Sequence, residues 1–190
     1  MIAAVAAAAL IGGGTATALA TTDDDGGSAR QAAGPRPAGG DDDAARAASA
    51  DVTASEAIAA ALKHTSGTAV SAELDDEDGK AVWEVDVLPA DDTWHSVRVE
   101  PSGGKVLGAH TDDEDDAAQA RAVLKGSSVT AEEAAKAAAG RGVVTSVDLD
   151  DDGGNTSWEA ETHTTGGAER EWKAGLTSGK VTPDRSDDQD

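Results

Sequence analysis

Trp83-Glu84-Val85-Asp86-Val87 is the stretch that decides how this chain folds. Apolar and acidic residues alternate strictly, which is the signature of a β-strand with one face buried. Seventy-five residues on, Trp158-Glu159-Ala160-Glu161 repeats the pattern. Two more landmarks return at the same offset: Leu74-Asp75-Asp76 as Leu149-Asp150-Asp151, and Gly104-Lys105-Val106 as Gly179-Lys180-Val181. Upstream, Thr53-Ala54-Ser55-Glu56-Ala57 returns as Thr130-Ala131-Glu132-Glu133-Ala134, now 77 residues on. Four landmarks in one order mean one unit present twice, with two residues fewer between helix and first strand in the second copy.

Each unit reads the same way. Thr53 with Glu56, and Thr130 with Glu133, form capping boxes in which hydroxyl and carboxylate satisfy free amides at a helix start. The first helix presents Ala54, Ala57, Ile58, Ala61 and Leu62 on one face and stops at Gly67; the second presents Ala131, Ala134, Ala135, Ala138 and Ala139 and stops at Gly140. Strands follow at Val70-Ala72-Leu74, Trp83-Val85-Val87 and His95-Val97-Val99, separated by turns at Asp76–Gly79 and Pro89–Asp92. The second copy offers Val147 and Leu149, then Trp158, then Trp172 and Ala174. The expected fold is α+β: two tandem small units, each one helix packed on a three-stranded antiparallel sheet. Trp83, Trp158 and Trp172 fall on inward faces. Trp94 falls out of that register beside a turn, which suits an interface anchor or end-of-strand packing.

These units occupy 52–109 and 129–182. Residues 1–20 are apolar and end in Ala18-Leu19-Ala20, the small-residue pattern of a signal peptide cleaved before Thr21; an uncleaved membrane anchor is the rival reading. Residues 21–51, rich in Asp, Gly and Pro, read as a disordered linker. Residues 110–128 read as an acidic connecting helix or linker, with acids at its start and Lys125-Gly126 at its end. Residues 183–190 read as a disordered tail.

Fifteen Lys and Arg against 37 Asp and Glu give the 190-residue chain a net charge of −22. Phosphate-rich partners and anionic membranes would be repelled, which argues against nucleic acid. Solvation alone accounts for such acidity, and a basic protein partner or loose cation binding also fits it. With no Cys there is no disulfide or thiolate metal site.

No catalytic constellation emerges. There is no G-x-S-x-G and no Gly-rich phosphate loop. His64, His95, His110 and His163 are scattered, none at zinc-ligand spacing on a helix, and all four are expected exposed or partly buried. Asp148 through Gly153, closed by Glu159, satisfies an EF-hand pattern, but Asn155 holds its hydrophobic position and the flanks read as strands. A hairpin with an acidic turn is the better account. The sequence thus points to no catalytic, cofactor-binding or metal-binding residue, and no cofactor.

The capped Glu56-Ala57 to Ala61-Leu62 helix, Glu73-Leu74-Asp75, Trp83-Glu84-Val85-Asp86-Val87 and Gly104-Lys105-Val106-Leu107 together resemble the PepSY domain. Trp158-Glu159-Ala160-Glu161 and Gly179-Lys180-Val181 carry a weaker second match. The resemblance implies a secreted or cell-envelope module that is not an enzyme. It also implies modulation or inhibition of a secreted peptidase, with a metallopeptidase as the partner. A cation-responsive or spacer module of the envelope is the alternative. The expected docking face carries Glu84, Asp86, Ser96, Arg98 and Glu100, with Trp94 near its edge.

Overall fold

The computed structural model describes residues 40–112, 116–150, 156–164 and 167–184. The leader, most of the linker and residues 185–190 lie outside them, as do 151–155 of the acidic turn. The elements run α1 (Gly40–Ser49), α2 (Ala54–His64), β1 (Thr68–Ala69), β2 (Ser71–Glu77), β3 (Lys80–Leu88), β4 (Trp94–Val99) and β5 (Val106–Asp112). They continue with α3 (Ala117–Leu124), α4 (Ala131–Ala138), β6 (Val143–Asp150), β7 (Ser157–His163), β8 (Glu169–Gly175) and β9 (Val181–Pro183).

Both helix starts are built as their sequences dictate. Thr53 and Glu56 exchange backbone and side-chain hydrogen bonds, and Thr130 and Glu133 do the same. Each alanine face is buried except for Ala139, which is the exposed C-cap of α4, and the absence of bulk lets α2 and α4 pack on one another as well as on the sheet. Between β2 and β3, Asp78 and Gly79 both take positive φ, 54° and 76°, as a two-residue hairpin turn requires. Gly104 and Gly179, at φ 70° and 59°, close the turns before β5 and β9.

The expectation of two separate three-stranded sheets is corrected. The chain builds one nine-stranded sheet in the order β5-β4-β3-β2-β6-β7-β8-β9, with β1 added against β3. Each half supplies a four-stranded meander, because the residues after each Gly-Lys continue as β5 and β9. The halves join where β2 and β6 pair antiparallel, Ser71 opposite Asp148, Ala72 opposite Val147 and Glu73 opposite Ser146. Two isolated meanders would each leave an open strand edge at this point, with unpaired amides and carbonyls. Joining them satisfies those groups and merges both alanine helices over one core, which includes Ala72, Val147, Trp83 and Trp158. The strand order is mirrored about this antiparallel β2–β6 pair.

A second correction concerns the stretch read as linker. Its last part, Gly40–Ser49, is helical, and α1 packs near β6 and β7 with Ala47 only 4% exposed. Alanine's helix propensity supplies the local preference and burial of that face supplies the rest. Helix α3 lies within the stretch read as a connection, and its Arg121 donates to Asp92 Oδ1 at 2.6 Å and to the Pro89 carbonyl. Among the described residues no helix is long and apolar enough to cross a membrane.

Candidate functional site

Pleating sends alternate residues to opposite faces. One face, with Leu74, Trp83, Val85, Val147 and Trp158, is buried in the core. The other gathers side chains from both halves: Ser71 and Glu73 on β2, Glu84 and Asp86 on β3, Ser96 and Arg98 on β4. Asp148 on β6, Glu159 and Glu161 on β7 and Lys173 on β8 join them. The strand registers put like charges directly opposite each other. Glu73 faces Glu84, and Glu161 faces Glu171. Such cross-strand pairs are destabilising.

The chemistry of this face follows from crowding. Asp148 is half-buried, and its carboxyl is raised to about 7, first by burial and then by Glu73, against a hydrogen bond from Ser146. Burial also raises Asp86, opposed by the Ser71 hydroxyl, which donates at 2.7 Å. Glu73 stays exposed overall, yet partial burial and the carboxylates of Asp75, Glu161, Glu84 and Asp86 raise it too. The cations stand at the flanks. Arg98 pairs with Glu77. Lys173 reaches Glu159 at 2.8 Å, Asp150 at 3.3 Å and Asp184 at 3.4 Å, and the Glu159 contact is the main reason its ammonium is held above its ordinary range. A cleft of about 80 Å³ lies among Ser146, Asp148, Glu159, Glu161 and Asp184. That is room for two or three waters at roughly 30 Å³ each, far below the several hundred Å³ of a small-molecule pocket.

Of the docking face expected from sequence, Glu84, Asp86, Ser96 and Arg98 do share one face, and Glu100 lies one residue beyond β4. The face is less open than expected: Ser96 is 1% exposed and the other three are half-buried. Trp94 is on this face but only 4% exposed, so it is packed and is no interface anchor. It belongs to the same cluster of buried apolar side chains as Val85, Val97 and Val99. His64 and His110 are exposed and His95 is half-buried, but His163 is 1% exposed, a correction to the expectation for all four histidines. In the acidic segment read against the EF-hand, Asp148 pairs with Glu159 in a β-ladder, so its described flanks are strands. Residues 151–155 of that turn lie outside the described ones. What sequence reasoning missed is the half of the face contributed by β6 to β8, because only the β2–β6 pairing brings it alongside Glu73 and Asp86.

No curated protein matches this chain. Among solved structures, it is similar to a "putative lipoprotein" from Clostridium difficile 630, with 20% identity over 70% of this chain and 91% of that one. The TM-score is 0.43, at which the likeness carries no argument about function. The family model described as "Peptidase propeptide and YPEB domain" matches residues 51–110, from just before the α2 cap into β5. Residues 51–110 therefore belong to the PepSY family.

Proposed function

We propose that this protein is a non-catalytic, extracytoplasmic binding module that modulates a secreted peptidase through the acidic face of its sheet. The observation that carries the reading is the match of residues 51–110 to a family named for peptidase propeptides. The face supplies a chemistry for it: carboxylates from both halves in one patch, with Arg98 and Lys173 at its flanks already paired. A basic surface would relieve the repulsion between Glu73 and Glu84 on docking, and its encounter would be steered by a net charge of −22. In this reading residues 129–182 are a second PepSY unit and residues 1–20 a signal peptide, so mass spectrometry of the exported protein finds Thr21 at its amino terminus.

The test is inhibition of metallopeptidases secreted beside this protein, measured for the full chain and for the double variant Glu73→Gln/Glu84→Gln. Inhibition that weakens with added salt and in the double variant supports the reading. A folded wild-type protein that inhibits none of them overturns it, and so does inhibition indifferent to the double variant.

A further inference from the structure

Glu161 and His163 are two residues apart on β7, so both side chains leave the same face of the strand. Glu169 on β8 stands directly opposite His163. One donor atom from each of the three residues lies within 4.8 Å of the others. The imidazole Nε2 and Glu161 Oε1 are 3.0 Å apart. Two ligands of a tetrahedral zinc, with bonds of about 2.0–2.1 Å, sit about 3.3 Å apart, so an ion could replace the proton between these atoms with little movement.

Three further observations single this cluster out from the general acidity of the face. His163 is buried, and its Nδ1 has no hydrogen-bond partner among the described residues, an unusual state for an imidazole in a protein interior. A β-bulge between Val144 and Ser146 inserts Thr145, whose hydroxyl donates to Glu161 Oε1 at 3.0 Å, the kind of outer contact that orients a metal-binding carboxylate. The two halves also differ at this place. Seventy-five residues before His163 and Glu169 stand Leu88 and Trp94, both buried. Where the first half closes this corner with an apolar pair, the second places an imidazole and a carboxylate.

We propose that Glu161, His163 and Glu169 form a binding site for a first-row divalent cation of the zinc class, with the remaining position open to solvent. One nitrogen and two carboxylates suit such an ion, whereas calcium prefers six to eight oxygens. The site goes beyond the docking reading and stands independently of it, since it requires no peptidase. Helical spacing rules miss it because its ligands follow the pleat of one strand and the register of the next.

Titration calorimetry of the full chain with zinc chloride and with calcium chloride tests it, on wild type, Glu169→Gln, His163→Gln and Glu84→Gln. The expected result is one zinc equivalent whose affinity falls about tenfold or more in Glu169→Gln and is unchanged in Glu84→Gln, with calcium unable to compete. Zinc X-ray absorption should show one imidazole ligand, lost in His163→Gln. His163 is buried and its substitution can unfold the chain, so the exposed Glu169 is the deciding position. Zinc binding unaltered by Glu169→Gln, or matched by calcium, or weakened equally by Glu84→Gln, reduces the effect to nonspecific acidity and overturns the proposal.

Discussion

The indole Nε1 of Trp83 donates a 2.9 Å hydrogen bond to the carbonyl of Val52, the residue just before the N-cap of α2. Trp158 makes the same bond to Val129, at 2.9 Å, just before the N-cap of α4. Each bond ties a central strand to the start of the helix that covers it. Trp83→Phe and Trp158→Phe should each cost about 1–3 kcal/mol, combining a lost hydrogen bond with a small cavity. Urea unfolding measures this, and hydrogen exchange should show earlier opening of the first helical turn. Exchange at α2 unchanged in Trp83→Phe would mean the bond does not hold the helix start.

Trp94 invites the opposite comparison, because its buried Nε1 has no partner among the described residues. Trp94→Phe forfeits no hydrogen bond and should stay within about 1 kcal/mol of wild type. Trp94→Ala should cost about 3–5 kcal/mol as a core truncation. Denaturant midpoints for the pair separate packing from polar contact. A fully stable Trp94→Ala would show that the ring is not part of the core.

Gly142 sits where any side chain collides with backbone. A Cβ there would lie 2.7 Å from the His163 carbonyl oxygen, and at Gly67, 75 residues earlier, 2.8 Å from the Leu88 carbonyl oxygen. Gly67→Ala and Gly142→Ala should each destabilise by about 1–3 kcal/mol. Gly103→Ala, whose nearest neighbour is the flexible Glu100 carboxylate at 3.3 Å, is the control expected near neutral. Thermal melts decide, and equal melting of all three variants would refute the close approach.

Asp148 sets a pH dependence. Its folded carboxyl titrates near 7, against about 3.9 for an unfolded chain. Between these values the folded state holds a proton that the unfolded state releases, so stability falls as pH rises from about 4 to 7. Asp148→Asn removes this loss. Allowing for the solvent that reaches its half-buried carboxyl, the variant should gain on the order of 2 kcal/mol at pH 8 and little at pH 4. Parallel stability–pH curves for the two proteins would show that Asp148 is not the titrating group.

The expectations the structure upholds rest on local rules. Thr53 with Glu56 and Thr130 with Glu133 cap helices whatever lies beyond them, since the bonds close within four residues. Alternation around Trp83 and Val85 fixes which side chains share a face, because the pleat has a period of two. The expectations that changed rest on contacts far apart in the chain. Helix α1 needed a surface to cover Ala47 before its alanines counted for more than composition. Trp94 fell outside the register read from sequence and His163 was expected exposed or partly buried; both are buried, because a local pattern does not say what packs over a side chain.

By itself, then, the sequence determined the helix starts, the strand faces, the inward Trp83 and Trp158, and the family of residues 51–110. Only the tertiary structure decided that β2 and β6 pair, and from that pairing came the single sheet, the shared core and the meeting of Glu73 with Asp148. The physical reason is that strands recognise each other through backbone amides and carbonyls, which every residue but proline carries alike. Side-chain identity marks which way a strand faces, whereas its neighbour is settled by which open edges the rest of the fold brings alongside each other.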